Sequence, residues 1–321
     1  MKKALFPAML ALLLLFSACG IKTADSARFY DKYVLSRMDR GIGVADRLSG
    51  MAENVAVLND TSSDPGYVTC NAAGLFSEDE LVTLYEKEAT KHVYPASMTK
   101  CMTALLTLES VADLSDEILV TDEAYEGLSA DSSLANLQRG GYYTVKDVLY
   151  GLLLPSGNEA ANVLAIHVAG SVPEFVKKMN QRAAELGMIN THFVNPHGLH
   201  DANHYTSVYD LYLLFRVLIS HEEFLEIAGS KKAVITCRMG EERTTSELTN
   251  TNSFIREYVK PPLGITAVAG KTGYTASAGR CLVMLSLNSK GKRFITVIAH
   301  ANTYDGVYEE TVKLMELIPN E

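Results

Sequence analysis

Apolar and polar positions change their spacing several times along this chain, and each change marks a different kind of structure. From Ala4 to Phe16 the run is almost continuously apolar, interrupted only by Pro7 and too short to span a bilayer as a helix. Residues 20–60 are polar-rich with scattered apolar side chains. They run into Asp60-Thr61-Ser62-Ser63-Asp64-Pro65-Gly66, which is turn chemistry. Alternation then predicts a strand pair over 72–77 and 81–86, joined by Glu78-Asp79-Glu80. From Pro95 to about Ala228 the period becomes helical and predicts helices over 97–108, 145–154, 159–168, 173–186 and 207–219. Strand spacing returns at 232–239, 267–272, 280–288 and 292–299, and a helix over 305–318 closes the chain. Strands, a helical block, then strands and a last helix predict an α+β fold: one antiparallel β-sheet flanked by helices, with a helical subdomain.

The apolar start has a second property. Lys2 and Lys3 precede it and Phe16-Ser17-Ala18-Cys19-Gly20 ends it, which is the layout of an export signal. A plain cleavage site wants small residues at −1 and −3, and a cut before Cys19 would put Phe16 at −3. The small-small-Cys ending instead resembles a bacterial lipobox, with Cys19 lipidated, although Phe16 stands where Leu is usual. The expected organisation is a signal peptide over 1–19, a tether over 20–64 and one catalytic domain over 65–321.

Charge and cysteine usage narrow the classes further. The net charge of −9 argues against nucleic acid, which requires a basic face, and against polybasic attachment to anionic lipid. After Cys19 four cysteines remain, Cys70, Cys101, Cys237 and Cys281, too few for a disulfide framework in a chain of this length. Cys101 and Cys281 lie inside apolar runs and read as small buried hydrophobes, so no disulfide is required.

Three short segments carry candidate chemistry. In Pro95-Ala96-Ser97-Met98-Thr99-Lys100-Cys101-Met102-Thr103, Pro95 suits a helix start, and the residues beyond it are apolar on nearly every side. Ser97 and Lys100 share a face, and burial lowers a lysine's pKa, which would let a neutral amine accept the serine proton. Leu154-Pro155-Ser156-Gly157-Asn158-Glu159 breaks two helical segments sharply and should project a hydroxyl and an amide. Gly270-Lys271-Thr272-Gly273-Tyr274-Thr275 ends a strand, with glycines that allow another backbone to approach. Singly, each has a plainer reading: Ser97 as a helix cap, Ser156 to Asn158 as a turn. Ser289-x-x-Lys292 and Ser286-x-Asn288 match the same spacings without context.

Taken in order, Ser-x-x-Lys, Ser-x-Asn and Lys-Thr-Gly are the motif set of penicillin-binding proteins and class A β-lactamases. With Asn195-Pro196-His197-Gly198-Leu199, the chain from about Ala72 onwards resembles the low-molecular-weight D-alanyl-D-alanine carboxypeptidases, serine peptidase family S11. The resemblance implies a β-lactamase/penicillin-binding transpeptidase-like fold and hydrolysis of the terminal D-alanine from peptidoglycan stem peptides through an acyl-enzyme. It makes Ser97 the nucleophile, Lys100 its base and Ser156 the proton relay. Asn158, Lys271, Thr272 and Tyr274 become substrate-binding, the last through its backbone N–H. It implies no cofactor and no metal, β-lactams as covalent inhibitors, and the extracytoplasmic face of a bacterial membrane.

Two departures stand out. Asn302 occupies a stretch where many relatives carry an arginine near the substrate carboxylate, and Arg280 is the nearest candidate to replace it. Many relatives also continue into a β-rich domain and an anchor helix, whereas here the lipid on Cys19 would be the anchor. Three alternatives compete with this reading. A serine β-lactamase would need a Glu-x-x-Leu-Asn element between Asn158 and Lys271, where none occurs. A metal amidase would use His192, His197, His200 and His204. A penicillin-binding sensor would acylate without turnover.

Overall fold

A computed structural model describes residues 55, 56, 58, 66–129 and 132–320 of the chain; the expected export signal, Cys19 and most of the expected tether lie outside them. Five antiparallel strands form the main sheet: β1 (Ala72–Ser77), β2 (Val82–Lys87), β7 (Thr266–Thr275), β8 (Gly279–Leu287) and β9 (Arg293–Ala301). Their order is β2-β1-β9-β8-β7, which leaves β7 as a free edge. All six residues of β1 are buried, because both faces of the sheet are covered. Ala72 and Phe76 point into one apolar cluster, and Ala73 and Leu75 into the other, the period-two alternation of a strand inside two layers.

The larger cluster lies under the helical block: α1 (Lys100–Ser110), α2 (Val145–Leu153), α3 (Asn158–Ala169), α4 (Val172–Glu185), α5 (Val208–Leu218) and the short α6 (Glu222–Ala228). The smaller lies under α7 (Tyr304–Met315). Local sequence sets the helix starts. Thr144 and Asp147 form a reciprocal capping box at α2, and Ser171, Ser207 and Thr303 accept N3 backbone N–H groups at α4, α5 and α7. A short 3-10 turn, Ala96–Thr99, leads into α1, whose first eight residues are all buried. Val55 and Ala56 also pack here, Ala56 exchanging bonds with the hydroxyls of Tyr212 and Tyr209.

The fold class is as the sequence predicts, but the single sheet is not. A second, four-stranded antiparallel sheet runs β3 (Glu117–Leu119), β4 (Tyr142–Thr144), β5 (Lys232–Met239) and β6 (Glu242–Thr249). The strand expected over 232–239 therefore belongs to a hairpin of its own. β6 is exposed along six of its eight residues, so no apolar alternation marks it. All four described cysteines are free and buried, Cys101 and Cys281 within the larger apolar cluster. No described helix is long and apolar enough to cross a membrane.

Candidate active site

Three parts of the chain meet at the free edge of β7. The 3-10 turn carries Ser97, half-buried, and α1 begins at Lys100, which is fully buried. The α2–α3 turn brings Ser156 and Asn158, and β7 brings Lys271 to Tyr274. All seven residues expected at the site are thus contributed by these elements. The two chance matches lie elsewhere: Ser289 donates to the carbonyl of Asn320, and Lys292 pairs with Glu80. Ser286 is buried in β8, and Asn288 donates to the Pro319 carbonyl.

The environment of Lys100 is the most informative feature. Its Nζ lies 3.1 Å from Ser97 Oγ, 2.7 Å from Asn158 Oδ1 and 2.7 Å from the His197 carbonyl. Two of these partners, an amide oxygen and a backbone carbonyl, can only accept. A neutral amine has two N–H bonds, and donating both to them turns its lone pair towards Ser97 Oγ. Burial pushes the Lys100 pKa well below the ordinary lysine value, and the neighbouring Lys271 cation adds to that, with Glu159 opposing. Lys271 is itself fully buried; burial lowers its pKa to about 8, and its Nζ donates to the Thr272 carbonyl at 3.0 Å.

Backbone strain accompanies this geometry. Ala96, just before Ser97, has φ of 47°, and Ser156 has φ of 67°. The hydroxyl of Ser156 is buried without a hydrogen-bond partner among the described residues. The 195–199 loop braces the turn from outside, with Thr103 Oγ1 donating to the Pro196 carbonyl at 2.6 Å. A Cβ on Gly198, where φ is +90°, would lie 1.9 Å from the Ala96 carbonyl oxygen, so only glycine fits. Gly273 plays a matching role on β7: its Cβ would meet Pro95 O at 3.0 Å and Ser97 N at 3.2 Å. The sequence reading gave Gly270 and Gly273 to an incoming backbone, whereas Gly273 in fact makes room for the chain's own Pro95 to Ser97.

The sequence reading missed two contributors. The His197 carbonyl is one; its loop is recognisable in the sequence, but a backbone acceptor leaves no side-chain signature. Thr251 is the other, its hydroxyl 2.7 Å from Thr272 Oγ1. The histidine group does not converge. His204 Nε2 meets Thr99 Oγ1 at 2.8 Å, His192 Nδ1 meets the Asn203 carbonyl, and His200 sits edge-on to Tyr94. Burial lowers the pKa of His197 to about 3 and that of His204 to about 4.

On β7, Thr272 and Tyr274 share a face, and Arg280 stands opposite Tyr274 on β8. Its guanidinium carbon lies 3.8 Å from the Tyr274 ring centroid and 5.5 Å from that of Tyr304. Arg280 forms no ion pair among the described residues.

A family model described as D-alanyl-D-alanine carboxypeptidase, peptidase S11, matches residues 61–303. The chain is 35% identical over 251 residues to the D-alanyl-D-alanine carboxypeptidase DacF of Bacillus subtilis, covering 76% of this chain and 61% of that protein. It is 31% identical over 260 residues to the D-alanyl-D-alanine carboxypeptidase DacA of Haemophilus influenzae, covering 78% and 62%. The match therefore spans about three-fifths of the length of these two relatives. A Streptomyces DD-transpeptidase structure superposes with a TM-score of 0.72 at 26% identity, covering 78% of this chain and 97% of that one. A D-alanyl-D-alanine carboxypeptidase structure from Mycobacterium tuberculosis gives 0.69 at 26% identity, covering 81% and 95%.

Proposed function

This chain belongs to the D-alanyl-D-alanine carboxypeptidase family of serine peptidases, and we propose that it removes the terminal D-alanine from peptidoglycan stem peptides. The observation that carries the proposal is Lys100, a buried amine whose two fixed acceptors aim its lone pair at the Ser97 hydroxyl. Neutral Lys100 takes the Ser97 proton as Oγ attacks the carbonyl of the penultimate D-alanine. The backbone N–H groups of Ser97 and Tyr274 hold the oxyanion, a contribution of about 3 kcal/mol per donor. The unpartnered Ser156 hydroxyl relays the proton to the leaving amine, and D-alanine departs. Water then cleaves the acyl-enzyme and restores Ser97. Asn158, with its oxygen held by Lys100, presents its NH2 group to the peptide. Lys271 supplies positive potential for the substrate carboxylate, and Thr272 bonds it.

The departure at Asn302 bears on that carboxylate. Among the described residues Arg280 has rings rather than acids as its partners and is on the same face as Thr272, which supports it as the replacement cation. Upstream, the reading remains export through residues 1–19 and lipid attachment at Cys19, on the extracytoplasmic face of a bacterial membrane; the spacer expected over 20–64 ends before Val55 and Ala56, which pack with the catalytic domain expected over 65–321.

The test is incubation with a D-alanyl-D-alanine peptide, following free D-alanine with and without penicillin. Release that penicillin blocks, together with fluorescent-penicillin labelling lost in Ser97→Ala and kept in Ser289→Ala, is the expected result. Labelling that survives Ser97→Ala would refute the assignment. Arg280→Leu should raise KM for the peptide more than it lowers kcat; unchanged KM would remove Arg280 from carboxylate binding.

A further inference from the structure

Glu159 follows Asn158 directly at the start of α3 and is completely buried, an expensive place for a carboxylate. It has no cationic partner within ion-pairing distance among the described residues. Instead it faces backbone. Leu137 N donates to Oε1 at 3.3 Å, while Oε2 is buried without a hydrogen-bond partner among the described residues. Burial pushes the carboxyl's pKa up, and the nearby backbone N–H groups of Leu137, Glu159, Ala135 and Ala160 oppose that rise. Two of these belong to the first turn of α3, where free donors and the helix dipole favour an anion. The other two belong to residues 132–138, a segment without regular secondary structure.

That segment is the backing of the site. Asn158 N donates to the Ser133 carbonyl at 2.8 Å, and a Cβ on Gly157 would meet Ala135 at 2.9 Å, so the two backbones lie in direct contact. Its far end is fastened by two tyrosines: Tyr125 OH donates to the Leu137 carbonyl, and Gln138 N donates to Tyr143 OH at 2.9 Å. Glu159 closes the remaining side. We infer that Glu159 is a positioning residue: its carboxylate fastens residues 132–138 to the Ser156–Asn158 turn and sets a negative charge one residue from the Asn158 amide that holds Lys100. This rests on the proposed role of Lys100 as base.

The groups facing Lys100 can be named element by element. Lys271 on β7 drives its proton off; Glu159 on α3 holds it on. Cys101 on α1, its thiol pushed up to about 12, and His197 in the bracing loop, pushed down to about 3, are neutral near pH 7. Glu159 is therefore the only carboxylate among the described residues that acts on Lys100. Its other titratable neighbour is Tyr125, whose hydroxyl is pushed up to about 12 by burial and by Glu159, with Arg139 opposing. An anion beside an ammonium favours the ammonium. Removing it lets Lys100 become a base at lower pH, so the acid limb of acylation moves down.

The experiment measures the fluorescent-penicillin acylation rate from pH 5 to 9, with thermal unfolding at each pH, in the full chain and two variants. Glu159→Gln keeps the length and one acceptor but removes the charge; its acid limb should shift by about half a pH unit or more to lower pH. An unmoved limb in a folded variant overturns the assignment. Glu159→Asp keeps the charge but withdraws it from Leu137, so its limb should stay at the wild-type pH while the plateau falls about threefold or more. A wild-type plateau overturns the fastening role, and loss of fold in both variants would make Glu159 merely structural. Absence of any labelling in the wild type would instead sink the reading of Lys100 and Ser97, which separates the two failures.

Discussion

Replacing Lys271 with methionine should make this protein more stable while disabling it. The side chains are similar in volume, so the apolar packing around β7 is kept. What changes is a charge held without water. Burial lowers the Lys271 pKa from 10.5 to about 8, and at about 1.4 kcal/mol per unit that is a penalty of about 3 kcal/mol on the charged folded state. Losing the bond to the Thr272 carbonyl offsets about 1 kcal/mol of this. The net gain of about 2 kcal/mol raises Tm by roughly 5 °C. The sign with pH follows from the depressed folded value. Below pH 8 both states carry the proton and the penalty is complete. Between 8 and 10.5 only the unfolded chain holds it, so wild-type stability rises with pH and the advantage of Lys271→Met fades. Calorimetry of both proteins at pH 7 and pH 10 reads this directly, alongside penicillin labelling. Acylation should fall sharply, and the residual acid limb should move to higher pH, because the cation that drives the proton from Lys100 is gone. A variant less stable at pH 7, or a gain that does not shrink by pH 10, would refute the reasoning.

Lys100→Arg keeps a cation that cannot be deprotonated, so stopped-flow acylation should drop by about 10² to 10⁴; a near-wild-type rate would make Lys100 purely electrostatic. Gly198→Ala drives a methyl into the Ala96 carbonyl and lifts the His197 acceptor from Lys100. Chemical denaturation should show a loss of about 1–3 kcal/mol, with slower acylation; a neutral result would dismiss the loop as a brace. Cys19→Ser should move the protein from the membrane fraction to the soluble one without altering penicillin binding by the purified protein. Continued sedimentation with membranes would end the lipoprotein reading.

The helices other than the seven-residue α6, which is too short to show a period, were legible because their apolar stripes are longer and their caps ordinary: Ser171, Ser207 and Thr303 all sit where the periodicity begins. The central strands were legible because both faces are buried. The second sheet was not. β3 and β4 are three residues each, and β6 presents Glu, Arg, Thr and Ser to solvent, so none leaves a periodic trace. At the site, side chains could be nominated from spacing and family flanks. The His197 carbonyl, the orphan hydroxyl of Ser156 and the backbone grip of Glu159 are properties of the assembled fold, and no single-residue signal carries them.

Local conflict also locates the site without reference to any motif. Seven described non-glycine residues have positive φ; Leu81, Glu88, Asn136, Glu257 and His300 sit at exposed or half-buried positions, where a strained turn is cheaply solvated. The two that are buried are Ala96 and Ser156. Likewise, the described lysines that are fully buried are Lys100 and Lys271. Each of these four features costs stability, at about 1–3 kcal/mol for a strained residue and several for an uncompensated cation. A fold retains them only where its surroundings over-determine the conformation, and the surroundings here do so. Gly198 and Gly273 close on the Ala96 turn, while Asn158 and His197 fix one lysine and the Thr272 carbonyl holds the other. Scattered through the chain, the four would have no common cause. Converging around one hydroxyl, they describe a site kept ready at the expense of stability, which is why Lys271→Met is expected to gain one as it loses the other.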